Sequence, residues 1–136
     1  MASNGYRNHN MEFAPAGATT APELLIRRTD PLLVSFELDV GWAVAAGADP
    51  FALLHRYPGR FSALDVKDVA TTTRPNFAGY QDPAEVGHGI VDWPRLLPTA
   101  HQAGVRRFFV EQEAPFSRPP LEAVKLSFDY LQALVS

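Results

Sequence analysis

Four short stretches of this chain gather the residues that can do chemistry: "YRNHN" (Tyr6 to Asn10), "FELDV" (Phe36 to Val40), "LDVKD" (Leu64 to Asp68) and "VEQE" (Val110 to Glu113). There is no cysteine, so thiolate nucleophiles, disulfides and zinc-thiolate sites are excluded. Carboxylates, histidine, lysine and arginine must carry the work. His9, whose ordinary pKa lies near neutrality, is the candidate for moving a proton or binding a hydroxyl; a lone histidine can equally be structural. Lys67 suits holding a ligand oxygen, or else, with Asp68, makes a salt-bridged loop start. Glu37 and Asp39 share one strand face and, on pattern alone, read as a solvated pair.

The elements that must position these residues alternate. A polar start, "MASNG", with residues 1–4 expected to be disordered, leads into a strand over Gly5 to Asn10. A helix through Glu23 to Ile26 follows, with Thr20 as N-cap and Pro22 in its first turn. "LVSFELDV" reads as the second strand, with Phe36 and Leu38 on one face and Glu37 and Asp39 on the other. Its helix begins at the Asp49-Pro50 pair and runs towards Gly59. "RFSALDVKDV" is the third strand, with Ala63, Asp65 and Lys67 on one face, and a long loop from Ala70 to Gly89 follows. Asp92 caps a helix through Trp93, Leu96, Leu97 and Ala100 that ends at Gly104, with Pro98 removing one backbone bond. "VRRFFVEQE" is the fourth strand; Arg107, Phe109 and Glu111 oppose Phe108 and Val110, so at most one of Arg106 and Arg107 points inward. The last helix starts at Pro120 and carries Leu121, Val124, Phe128, Leu131 and Val135 at helical spacing, an apolar face for packing on a sheet.

Strands separated by helices run parallel, so their C-terminal ends share one rim, where ligands bind in parallel α/β folds. Arg7 to Asn10, Glu37 and Asp39, Asp65 to Asp68, and Glu111 to Glu113 all fall at that end. "GHGIVDW" has two glycines but does not join a strand to a helix, and reads as a turn that sets the next helix cap. His55 and His101 fall on helices away from the rim and read as surface residues.

Composition bounds the rest. The 136 residues suit one domain, 1–136, and the 46% apolar and 20% charged content is that of a globular protein rather than a disordered one. A net charge of −3 supplies no basic field for a phosphate backbone, which argues against nucleic acid as partner. No apolar run reaches the ~20 residues of a membrane span, and no secretory signal opens the chain, so a cytoplasmic location is the expectation.

The stretches "YRNHNMEF", "FELDVGWAVAAGADP", "RYPGRFSALDVKDV", "EVGHGIVDW", "AGVRRFFVEQE" and "PPLEAVKLSFDYL" resemble, in order, the C-terminal half of a sugar phosphate isomerase/epimerase with the xylose isomerase-like TIM-barrel fold. The resemblance implies a partial (βα)8 barrel of four parallel βα units, equivalent to strands five to eight. It also implies a divalent metal, manganese or magnesium, held by side chains at these strand ends and acting on a sugar carbonyl and hydroxyl. Asp39 and Glu111 match acidic ligand positions. Where relatives read "YHNH" or "ENH" this chain has Arg7, and where they read "HVKD" it has Asp65. Arg7 has no lone pair to give a metal, whereas Asp65 would complete a triad with Asp39 and Glu111. The alternative expectation is that Arg7 partly replaces the metal.

On the same resemblance, His9, Glu111 and Lys67 are the candidate catalytic residues. Arg7, Asn8, Trp42 and Glu113 are the candidate substrate contacts, Trp42 by stacking on a sugar ring or else as core. The implied function is metal-assisted proton transfer on a sugar, sugar phosphate or polyol; the alternative is a non-catalytic half-barrel module that binds a partner half or a sugar, with its metal site lost. A whole barrel takes about 250 residues, so four units leave two open sheet edges and an inner face, expected to be apolar, for a second copy or a separate N-terminal half to cover. A truncated gene product is a third possibility.

Overall fold

The computed structural model describes residues 4–136. The expectation of a disordered start lies outside the described residues for 1–3, while residue 4 already belongs to a strand. In chain order the main elements are β1 (Asn4–Arg7), β2 (Pro15–Ala16), β3 (Thr19–Thr20), α1 (Ala21–Arg28), β4 (Val34–Asp39), α2 (Val40–Ala45), α3 (Pro50–Arg56), β5 (Phe61–Val66), β6 (Asp68–Val69), β7 (Pro83–Ala84), α4 (Trp93–Gln102), β8 (Arg107–Val110) and α5 (Pro120–Val135). Strands β1, β4, β5 and β8 form one four-stranded sheet in that order, and every pairing is parallel. β2 with β3, and β6 with β7, make two small antiparallel pairs.

The core lies between the outer face of the sheet and α1 to α4. Phe36, Leu38, Leu64 and Val66 meet Ile26, Leu54, Trp93, Leu96 and Ala100 there. The helix starts follow capping chemistry: Asp49 accepts from the Phe51 amide ahead of Pro50, and Asp92 from the Arg95 amide.

Several expectations change. The first strand stops at Arg7, not Asn10, because Asn8 turns to bond the Asp39 backbone and Asn10 starts a 3-10 turn at Met11–Phe13. α2 was not legible as a helix. It begins directly on the strand because Asp39 itself caps it, accepting from the Trp42 amide at 3.0 Å. The loop from 70 to 89 contains β7, which folds back to pair with β6 just before the loop. The inner face of the sheet carries Gly5, Arg7, Ser35, Glu37, Asp39, Ala63, Asp65, Arg107 and Phe109, so it is polar rather than apolar.

The apolar face of α5 does not pack on the sheet as expected. Leu121 is 85% exposed and Val135 83%, with Val124 and Phe128 also exposed. α5 is seated instead through Ala123 and Ser127, whose Oγ accepts from the Val86 amide, and through Tyr130 against Gly87. That seat leaves a groove of about 630 Å³ between α4 and α5, with Val66, Phe108 and Val110 as its floor.

Candidate active site

Parallel register brings the polar strand ends level. Arg7 pairs with Glu37 across β1 and β4, and Asp39 pairs with Asp65 across β4 and β5. Asn8 locks the first junction, donating its side-chain amide to the Asp39 carbonyl at 3.1 Å and accepting from the Asp39 amide at 3.0 Å. Asn8 is buried with its amide turned to that backbone, so it positions Asp39 rather than presenting itself to a ligand as expected.

Carboxylate oxygens of Asp39, Asp65 and Glu111 lie within 4.8 Å of one another. Two cations enter this group from different sides. Arg7 Nη1 donates to Asp65 Oδ2 at 2.8 Å and to Glu111 Oε2 at 2.5 Å. Lys67 Nζ lies 2.8 Å from Asp39 Oδ2, 2.8 Å from Glu113 Oε1 and 3.4 Å from Glu111 Oε1. Every candidate acid is therefore ion-paired. The two cations differ in access: the Lys67 side chain is 1% exposed and that of Arg7 34%.

Lys67 reaches its place because residue 41 is glycine. A Cβ there would lie 2.6 Å from Lys67 Cγ and 2.8 Å from Cδ. The ammonium also stands 5.5 Å from the centre of the Trp42 ring, whose negative face favours it. Burial alone would lower the Lys67 pKa, but the contacts with Asp39 and Glu113 outweigh it and hold the group above an ordinary lysine. Burial pushes Asp39 up to about 6, against the opposing pull of Lys67. Glu37 rises to about 7, first through burial and then through its neighbour Asp65. For Arg7, burial opposes the charge and the bond to Asp65 with the field of Glu111 restores it, leaving the guanidinium protonated at any working pH.

Two candidates stand apart from the carboxylates. His9 donates its backbone amide to Glu12 at 3.0 Å, its Nδ1 lies 3.7 Å from the same carboxylate, and its ring lies 5.7 Å from that of Trp42. Trp42 is 5% exposed, packed beneath His9 and Lys67, so the open aromatic platform expected for a sugar is covered. His55 and His101 are on the surface, as expected.

Three contributors were given no site role from the sequence, although Glu37 and Asp68 fall on the expected rim. Glu37 joins the site through Asp65, and its position two residues before Asp39 on the same strand face was the available signal. Gln81, from the long loop, donates to Glu113 at 3.3 Å, and no spacing pattern marked it. Asp68 organises the loop behind the site: its carboxylate accepts from the amides of Gly87, Gly89 and Val91 and from Trp93 Nε1. "GHGIVDW" is thus a turn wrapped on an aspartate, and it does set the cap of α4. Among the described residues three buried polar side-chain atoms have no hydrogen-bond partner: Trp42 Nε1, Gln81 Oε1 and, away from the rim, Arg60 Nε.

Comparison with known proteins places this fold. The chain aligns with a sugar phosphate isomerase/epimerase from Parabacteroides distasonis at 32% identity and a TM-score of 0.75, covering 95% of this chain and 46% of that one. A second protein of that description from the same organism aligns at 28% identity, with a TM-score of 0.75 over 93% of this chain and 44% of that one. A xylose isomerase domain protein from Planctomyces limnophilus, at 14% identity and a TM-score of 0.67, shares the fold over 94% of this chain and 43% of its own. Among curated proteins, an inosose dehydratase from Geobacillus kaustophilus is 46% identical over 52 residues, 37% of this chain and 17% of that protein. No family model matches. The chain therefore spans somewhat under half the length of these solved relatives, and the α/β fold is that of a partial xylose isomerase-like barrel.

The residues present do not fit the divalent metal that this fold family implies. Both oxygens of Asp39 are engaged, one by the Trp42 amide and one by Lys67. The open side of Asp65 and Glu111 is filled by a guanidinium, which cannot ligate a cation.

Proposed function

We infer, from this similarity to part of a sugar phosphate isomerase/epimerase barrel, that the chain binds a sugar or sugar-like polyol at the rim where β1, β4, β5 and β8 end. The convergence of Arg7, Asp39, Asp65, Lys67, Glu111 and Glu113 on that rim carries the reading. A polyol presents adjacent hydroxyls that both donate and accept. The half-buried carboxylates of Glu111 and Glu113 accept from hydroxyls, and the Arg7 guanidinium at the mouth of the site donates to them. The similarity to an inosose dehydratase extends the ligand class from open-chain sugars to cyclic polyol ketones.

The chemistry supported is proton transfer at the carbon beside a carbonyl, as in an isomerase or epimerase. Glu111, the triad carboxylate that ligand can reach, is the group to take or return the proton. His9 and Glu113 line the approach rather than the reacting carbon. A second reading, a half-barrel module that binds without turnover, is favoured by the double occupancy of Asp39.

On either reading a complementary half-barrel covers the open edges of β1 and β8 and the apolar face of α5. Light scattering at micromolar concentration is expected to give an assembly larger than one chain, and a stable monomer with a sharp unfolding transition contradicts the need for a partner.

Solvent-deuterium incorporation into a panel of ketoses and inososes, followed by NMR, tests the function. Exchange that is lost in Glu111→Gln supports the enzyme, binding without exchange supports the module, and no binding of any member removes both.

A further inference from the structure

The disagreement between these residues and a metal has a specific cause, which is the position of Arg7. Among the described residues, the three carboxylates that approach one another closely enough to share an ion are Asp39, Asp65 and Glu111. Arg7 Nη1 bridges two of them and Lys67 takes the third. The two cations do different jobs. Lys67 is sealed in, 1% exposed, with its stem threaded past Gly41, so it is a fixed counter-charge. Arg7 stands at the mouth, and its hydrogen bonds to Asp65 and Glu111 use Nη1 alone. The Nε and Nη2 hydrogens of its planar fork remain for a ligand, in the arrangement that meets two neighbouring oxygens at once.

We propose that Arg7 is the resident cation of this site: it keeps divalent ions out and receives, in place of a metal, the paired oxygens of the ligand. This deepens the sugar or polyol reading above. Its first half, the exclusion of metal, holds or fails without reference to any sugar. The guanidinium charge is permanent and cannot be titrated away to admit an ion. A divalent ion entering between Asp65 and Glu111 must both displace Arg7 from two short ion pairs and approach the charge it displaced.

Manganese itself is the probe. Chelator-stripped protein is titrated with Mn²⁺ and the free ion is followed by electron paramagnetic resonance, for wild type, Arg7→Gln, Arg7→His and Arg7→Lys, with circular dichroism melts to confirm folding. Wild type and Arg7→Lys are expected to leave manganese free. Arg7→Gln and Arg7→His are expected to bind it at least about tenfold more tightly, since a unit charge roughly 4 Å away has been removed. Arg7→Gln keeps a polar, uncharged side chain at the rim and is the second variant to use if Arg7→His does not fold. Stoichiometric manganese on wild type overturns the proposal. So does a folded Arg7→Gln that binds no better than wild type, because Arg7 is then not the excluding group. A wild type that excludes manganese yet binds no ketose or inosose leaves the exclusion standing and removes the sugar reading instead.

Discussion

Replacing Lys67 with Met keeps the volume of the stem and removes its charge, leaving Asp39 in a place built for an ion pair. Asp39 is 0% and Lys67 1% exposed, and their 2.8 Å contact has no water-facing side. Breaking a buried pair from one end costs about 3–5 kcal/mol, because the surviving charge is uncompensated. For a chain of this length that is a fall in Tm of roughly 10–20 °C. The cost must depend on pH. Asp39 already sits at about 6 in the folded protein, above its ordinary value, because burial outweighs Lys67, and losing Lys67 raises it further. A carboxyl with a folded pKa above its unfolded one stabilises the fold below the unfolded value and loses that contribution as pH rises through the folded one. At pH 5 the variant protonates Asp39 at little cost and recovers much of the loss; at pH 8, further above the unfolded value, holding that proton costs far more. Urea unfolding at pH 5 and pH 8 reads this directly, with Lys67→Met/Asp39→Asn expected to recover most of the stability at pH 8. An equal deficit at both pH values, a loss under about 1 kcal/mol at pH 8, or a double variant no better than the single one refutes the reasoning.

Other perturbations test neighbouring parts. Gly41→Ala places a Cβ 2.6 Å from Lys67 Cγ and is expected to cost about 1–3 kcal/mol by overpacking; the same change in a Lys67→Ala background should be much milder, which a double-mutant cycle measures. Asp68→Ala removes the acceptor for three loop amides and Trp93 Nε1, with an expected loss of about 3 kcal/mol or more. Amide exchange over residues 87–93 should accelerate in that variant, and unchanged protection there contradicts the role given to Asp68. Glu37, raised to about 7 by burial and Asp65, weakens the fold as pH climbs from its unfolded value through 7. Glu37→Gln should flatten the decline in Tm between pH 5 and pH 8, and a decline of unchanged slope argues against a shifted Glu37.

The chemistry-bearing residues could be placed from sequence because parallel strands stack their C-terminal ends and alternation assigns each side chain a face. That put Arg7, Asp39, Asp65 and Glu111 together, and the resemblance to sugar phosphate isomerase/epimerases was carried by the same stretches. The losses came where a residue serves two purposes. Asp39 is at once strand end, helix cap and ion-pair partner, so the helix it starts was hidden behind the strand. Asn8 looked like a ligand contact because nothing in a sequence shows that its amide already holds two backbone groups across the sheet. Trp42 reads the same whether its ring is open or lies under His9 and Lys67. The polar lining of the inner face was visible in the alternation of β4 and β8, yet the closed barrel it was compared with suggested an apolar one. α5 has sound helical periodicity, but periodicity gives a face and not the surface that meets it.

The proposed site takes a polyol through its own cations. Calorimetric titration of chelator-treated protein with a ketose or inosose, in the presence of EDTA, tests it most directly. Binding without added metal that is lost in Arg7→Gln is the expected result. No heat in EDTA, with binding restored by manganese, contradicts it.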